Sequence, residues 1–239
     1  MQCYVIVMVS YLIDILIISD AHGKLDYIVS ILDKEKKIDL LIYCGDIAHY
    51  RRPYETSHLL RLLTDIAKKH SIKKVMGVPG NIDVLKHYIE FEAQEKMFIN
   101  LHEKIVEHQG YYFLGFGGST ITPFNTLLEY AEEIIEEKLI KIIKMHSNNS
   151  NRTVIVTHVP PYNTMCDKAY NGEHIGSKTI RKVIEYYKPL AVFSGHVHES
   201  RCIDKIGGTL VVNPGPVAMG FYSIVKLWNT HVDAVLKQV

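Results

Sequence analysis

Seven polar residues follow apolar runs along this chain. They are Asp20 and His22 in "SDAH", Asp46 in "CGDIAH", Asn81 in "PGNID", His158 in "THVPP", and His196 with His198 in "GHVH". Imidazole, carboxylate and amide oxygen without thiolate suit Mn, Fe, Ni or Zn at a reactive site better than a structural zinc knot. Asp46 has two oxygens and is the natural bridge between two cations. An i, i+2 pair on extended backbone projects both side chains to one side. Asp20/His22 and His196/His198 are therefore each expected to offer two ligands to one pocket. Gly45, Gly80 and Gly195 immediately precede ligand candidates, where a missing Cβ permits a sharp turn and close approach.

Each element alone has a plainer reading. Asp20 could cap a helix, Asn81 could occupy a turn, and His196 or His198 could be an ordinary hydrogen-bonded histidine. Their ordered recurrence, each after a buried strand, is what points to metal chemistry.

The elements that must position these residues are legible in the apolar pattern. Runs 13–19, 38–44, 74–78, 153–157 and 190–194 are short, rich in β-branched residues and continuously apolar, as strands buried on both faces are. Between them, 24–37, 54–70, 84–94, 126–146 and 177–187 have helical periodicity, with Ser177 as an N-cap and Pro189 as a stop. Past Gly207, "TLVVNPG", "YSIVKL" and "HVDAVL" read as strands joined by turns. This alternation predicts an α/β architecture in one domain, residues 1–239, with ligands bound beyond the carboxyl ends of the strands. The polar segment 147–152 is a surface connection that could divide two sheet-building halves. Residues 1–12 read either as an extra strand or as an extension ahead of a start at Met8.

Bulk properties narrow the partners. The 239 residues carry 27 basic and 26 acidic side chains, a formal charge of +1. Scattered basic pairs such as Arg51/Arg52 and Lys73/Lys74 read as solvated surface, against a nucleic-acid partner. The apolar N-terminal stretch is interrupted by Asp14 and too short to span a bilayer. Cys3, Cys44, Cys166 and Cys202 lack metal-site spacing and are expected to be reduced thiols in a cytoplasmic protein.

The ordered set D-x-H … G-D … G-N … H … G-H-x-H resembles the calcineurin-like metallophosphoesterase superfamily over nearly the whole chain. Together with "HVPPYNTMCDKAYNGEHIGS", "GHVHES" and "VVNPGP", it is similar to the subgroup of predicted phosphoesterases related to the Icc phosphodiesterases. The resemblance implies a four-layer α/β/β/α sandwich of two mixed β-sheets flanked by helices, a small phosphoester substrate and, as often in the family, a homo-oligomer. It also implies two divalent metal ions. Asp20, His22, Asp46 and His198 would hold the first; Asp46 (bridging), Asn81, His158 and His196 would hold the second. A hydroxide between the cations would attack phosphorus, with Asp46, Asn81, His158 and His196 nearest the chemistry.

One position departs from the family pattern. Many members have histidine after the G-N pair, close to the leaving group, whereas this chain has Ile82, which donates no proton. General acid catalysis is typically worth ~10²–10⁴ in rate, so diesters or other substrates with stabilised leaving groups are expected to be preferred. His49 and His174 are the candidate substitutes, Asp83 orients a ligand or caps a helix, and Glu199 and Arg201 are candidates to line the pocket. Asn213 in "NPGP" is a weaker substrate contact, and Cys44 reads as a buried strand residue. Two rival readings are a nuclease of the same superfamily and a non-catalytic metal-binding scaffold for protein partners.

Overall fold

A computed structural model describes residues 12–144 and 147–239. The expected start site and extra strand within residues 1–11 lie outside the described residues. Two six-stranded mixed sheets form the centre, with helices on their outer faces.

The first sheet has the order β14-β13-β1-β2-β3-β4. Strands β1 (Leu12–Ile18), β2 (Leu40–Tyr43), β3 (Lys74–Gly77) and β4 (Phe98–Asn100) run parallel. The C-terminal hairpin β13 (Phe221–Trp228) and β14 (His231–Gln238) joins antiparallel to β1. Helices α1 (Asp26–Lys34), α2 (Thr56–Lys69) and α3 (Leu85–Gln94) cover the outer face.

In the second sheet the order is β11-β12-β10-β9-β6-β5. Here β6 (Tyr111–Phe116), β9 (Thr153–Thr157), β10 (Ala191–Phe193) and β12 (Thr209–Asn213) are parallel. Strands β5 (Lys104–His108) and β11 (Cys202–Ile206) form antiparallel edges. Helices α4 (Glu132–Lys144) and α5 (Lys178–Tyr187) pack outside it. A two-stranded ribbon, β7 (Ser119–Thr120) with β8 (Glu129–Tyr130), lies beside the main sheets in sequence between β6 and α4.

Strand periodicity explains the layering. In β1, Ile13, Ile15 and Ile17 enter the core between the sheets, where they meet Phe113, Val154, Val156, Phe193 and Val212 from the other sheet. Leu16 and Ile18 point the opposite way, towards Ile28 and Ile31 of α1 and Leu60 and Leu63 of α2. A third core joins Ile155, Val192 and Val211 to Leu139 of α4 and Ile180 of α5. Three apolar interlayers make the four-layer α/β/β/α sandwich. A strand covered on both faces has no polar positions to alternate, which is why these runs are continuously apolar.

Ser177 caps α5 by accepting a hydrogen bond from the Ile180 amide (3.1 Å). The helix expected from residue 126 starts at Glu132 instead. Asn125 has left-handed backbone (φ 48°), and Glu129 accepts the Thr126 amide (2.8 Å), which turns this segment into a loop and β8. The connection at 147–152 does not divide the halves, because β5 and β6 precede it and already belong to the second sheet. The thiol expectation is also corrected: Cys166 and Cys202 form a disulfide across 36 residues, tying the loop after β9 to edge strand β11. Two distant cysteines need no sequence spacing to meet once a sheet edge aligns them. Cys44 is free and buried, and burial raises its thiol pKa well above the ordinary range. No helix among the described residues is long and apolar enough to cross a membrane.

Candidate metal centre

All five strand-end loops converge where the two sheets' carboxyl edges meet. Asp20 and His22 follow β1, Asp46 follows β2, and Asn81 follows β3. His158 follows β9, and His196 and His198 follow β10. Adjacent loops are stitched by backbone hydrogen bonds: the Asp20 amide to the Gly45 carbonyl (2.9 Å), His22 to Asp46 (3.1 Å), and Gly195 to His158 (2.9 Å).

The backbone there is unusual. Asp20, His22, Asp46 and His196 have φ of 55°, 47°, 60° and 68°. Left-handed backbone costs a non-glycine L-residue roughly 1–2 kcal/mol, and such conformations cluster where function holds them. The extended geometry expected for the two i, i+2 pairs is therefore not what places them. Asp20 and His22 still reach one cluster, but His196 and His198 turn to different ones.

In the first cluster, His22 Nε2 and His198 Nε2 stand 3.1 Å apart, at 3.8 and 3.3 Å from Asp20 Oδ1. The second gathers around His158 Nε2, which lies 2.9 Å from Asn81 Oδ1, 3.3 Å from Asp46 Oδ2 and 3.3 Å from His196 Nδ1. The clusters adjoin, since ligand atoms of Asp20, Asp46 and His158 all lie within 4.8 Å of one another. His158 is fully buried and the His198 side chain is 42 % exposed, so the centre opens to solvent at the His198 end.

This donor set fits divalent cations. Aside from a proton, only a cation lets imidazole nitrogens and carboxylate oxygens crowd at such distances. Burial opposes charge on Asp20, yet His198, His158 and His22 hold its carboxyl well below the ordinary range. Burial also opposes charge on Asp46, and His158 nonetheless keeps it low. Burial depresses His158, but Asp46 and Asp20 outweigh it and raise its pKa to about 9. Burial and then neighbouring His158 push His196 down to about 4. Paired imidazoles and carboxylates of this kind would exchange a shared proton for a divalent cation. His158 Nδ1–H donates to the Cys44 carbonyl (2.7 Å), which aims Nε2 at the cluster.

The glycines allow the loops to touch. A Cβ on Gly80 would lie 1.8 Å from Asp46 Oδ1, and one on Gly195 would lie 1.8 Å from Ser19 Oγ. Behind them, buried Asp83 accepts hydrogen bonds from the amides of Gly80 (2.9 Å), Ala48 (3.0 Å) and Ile47 (3.2 Å) and from the Tyr88 hydroxyl (3.0 Å). It locks the Asp46 and Asn81 loops together and does not cap α3, whose N-terminus has no side-chain cap. Burial, then the charge on Asp46, raises its pKa.

The other candidates have partners of their own. His174 pairs with Asp167 (2.7 Å), and His49 Nδ1 accepts the Arg51 amide (3.2 Å). Arg201 binds the Pro214 and Lys237 carbonyls over the Phe221 ring, and Glu199 accepts the Tyr170 amide. Asn213 holds the GHVH loop through the Val197 carbonyl (2.9 Å). Sequence reasoning missed Thr126, whose hydroxyl accepts from Asn81 Nδ2 (2.9 Å), because it sat in an expected helix.

The family model described as calcineurin-like phosphoesterase matches residues 13–200. The uncharacterized protein MJ1162 of Methanocaldococcus jannaschii is 40 % identical over 213 residues, covering 87 % of this chain and 91 % of its own length. The fold is similar to TT1561 of Thermus thermophilus (TM-score 0.70, 18 % identity, 94 % of this chain and 99 % of that one). It is also similar to GAP50, the anchor in the inner membrane complex of Plasmodium (TM-score 0.61, 11 % identity, 95 % and 84 %).

Proposed function

The chain belongs to the calcineurin-like phosphoesterase family, and from that premise we propose that it is a phosphodiesterase using two divalent cations. Asp20, His22, Asp46 and His198 would hold one cation, and Asp46, Asn81, His158 and His196 the other. The observation that carries the reading is the meeting of two adjoining nitrogen–oxygen clusters at one sheet-edge seam. Bound there, divalent cations supply Lewis-acid charge to the phosphate oxygens and make water nucleophilic near neutral pH.

The chain's own residues do the rest. Asp46 contributes a buried carboxylate whose Oδ1 is fixed by the Ile82 amide (3.1 Å), leaving Oδ2 towards His158 (3.3 Å). His158, held by Cys44, and Asn81, held by Thr126, keep their orientation without reorganising as charge develops on the phosphate. Ile82 brings carbon where a proton donor would serve a poor leaving group. Diesters with stabilised leaving groups are then favoured over alkyl monoesters.

The test is hydrolysis of bis(p-nitrophenyl) phosphate against p-nitrophenyl phosphate. Protein is stripped of metal, then reloaded with Mn²⁺, Ni²⁺ or Zn²⁺, with His158→Ala as control. Metal-restored diesterase activity, faster than the monoesterase and lost in the control, is the expected outcome. A monoester turned over faster than the diester would refute the preference, and no turnover with bound metal would refute the enzyme.

A further inference from the structure

A cavity of about 300 Å³ opens beside the metal centre, lined by Tyr50, Pro53, Ile82, Asn125, Thr126 and Leu127. Its connection to the centre is direct. The Ile82 amide donates to Asp46 Oδ1 (3.1 Å), Thr126 Oγ1 accepts from Asn81 Nδ2 (2.9 Å), and the Leu128 amide donates to the Asn81 carbonyl (3.0 Å). Two of the lining residues are thus bonded to residues of the proposed ligand set.

None of the six lining residues carries a formal charge. Ile82 is 7 % exposed, whereas Tyr50 and Leu127 are 65 % and 59 % exposed. The cavity therefore runs from a buried aliphatic wall to an aromatic and aliphatic rim. Apolar walls with a few polar groups, joined to a polar centre, are what small-molecule sites present. The wall is also firm: Glu129 accepts from the amides and hydroxyls of both Thr122 and Thr126, which fixes the loop carrying Asn125, Thr126 and Leu127.

We propose that this cavity is the leaving-group subsite and that it takes an uncharged aromatic ring carried on the phosphoester; the inference rests on the phosphoesterase reading above. A second phosphate or a carboxylate would find no cation among the lining residues. An aliphatic alcohol would depart as a poorly stabilised alkoxide, with only Ile82 where a donor would serve it. An aryl oxygen spreads its negative charge into the ring, can leave without a proton from the protein, and places that ring against Ile82, Pro53, Tyr50 and Leu127.

Binding of non-hydrolysable phosphonates to Mn²⁺-loaded protein, measured by calorimetry, tests this without turnover. Phenylphosphonate is expected to bind about tenfold more tightly than methylphosphonate, as burial of one ring face predicts. Cyclohexylphosphonate should fall well short of phenylphosphonate. Leu127→Trp, at an exposed position outside the ligand set, should fill the cavity and remove the phenyl advantage while methylphosphonate binds as before. Equal affinity for phenyl and methyl compounds, or a phenyl advantage that survives Leu127→Trp, would overturn the subsite and leave the phosphoesterase reading standing. Equal affinity for the cyclohexyl compound would overturn the aromatic assignment. Failure of both methyl- and phenylphosphonate to bind would overturn subsite and phosphoesterase together.

Discussion

Thr126 Oγ1 accepts a hydrogen bond from Asn81 Nδ2 at 2.9 Å and donates its own proton to Glu129 Oε1. That oxygen decides which end of the Asn81 amide faces the centre. With Nδ2 engaged, Oδ1 is turned towards His158 Nε2, 2.9 Å away. An amide free to flip would present N–H donors to a cation half the time.

Thr126→Val keeps the shape and removes the acceptor. One such bond is worth about 0.5–1.5 kcal/mol, so kcat for an aryl diester should fall by up to about tenfold. KM should change little, and Thr126→Ser should restore kcat. Steady-state kinetics of both variants decide it; a serine variant as slow as the valine one would remove the positioning role.

Ile82→His supplies a titratable donor while leaving the backbone amide bond to Asp46 intact. The rate on an alkyl phosphomonoester, relative to bis(p-nitrophenyl) phosphate, should rise at least about tenfold, a conservative share of what general acids contribute. Measuring both rates across pH gives a second check, because the gain should fade as the new imidazole deprotonates.

Metal should also act as a clamp, because Asp20, His22, Asp46 and Asn81 come from one sheet and His158, His196 and His198 from the other. At free Mn²⁺ a hundredfold above its Kd, binding adds about 2.7 kcal/mol. In a protein of this size each kcal/mol raises Tm by roughly 2–4 °C. Calorimetric scans with Mn²⁺ and with chelator should therefore differ by several degrees, and His158→Ala should shrink that gap.

The Cys166–Cys202 disulfide closes a loop of 36 residues. On chain entropy alone this is worth about 4 kcal/mol. Cys202→Ser should lower Tm by roughly 8–15 °C, with no further loss on adding reductant. An unchanged Tm would show that the bond adds nothing to stability.

Glu129 gives the loop around Thr126 an acid sensitivity. Desolvation raises its pKa, but hydrogen bonds from Thr122 and Thr126 outweigh it and bring the value from 4.5 to about 2. A depressed folded-state pKa contributes stability that is whole above the unfolded value and lost as pH falls through the folded one. Wild type should therefore lose stability between pH 4.5 and 2 more steeply than Glu129→Gln, which follows from denaturant titrations at successive pH values.

Much of this arrangement is legible in the chain because burial on both faces leaves a plain mark. A run such as 13–19 has no polar alternation, so the first polar residue after it announces both the strand's end and the site. The three-residue β4 and the two-residue β7 and β8 carry no comparable signal. Leu127 and Leu128 fit a helical stripe, yet one left-handed residue at Asn125 and one carboxylate at Glu129 override that periodicity. Asp83 is ambiguous in sequence because the four donors around it come from three separate stretches of the chain. Left-handed backbone at Asp20, His22, Asp46 and His196 leaves no trace at all, since aspartate and histidine tolerate it without advertising it.

The neighbour of β1 on one side is β13, and the loop beyond β1 is pinned the same way: Ser19 bridges to Pro216, and the Val217 amide donates to the Ser19 carbonyl (2.8 Å). Asp20 is thus among the earliest of the seven to be synthesised and among the last to be secured. At about 5–20 residues per second, a ribosome needs on the order of 10–40 s to cover the intervening 200 or so residues. Until then the edge of β1 that β13 covers has no partner strand. A chain cut after Gly220 would keep the pin on the Ser19 loop but leave β1 without its antiparallel neighbour, so the strand that carries Asp20 at its end should lose support before the loop itself does.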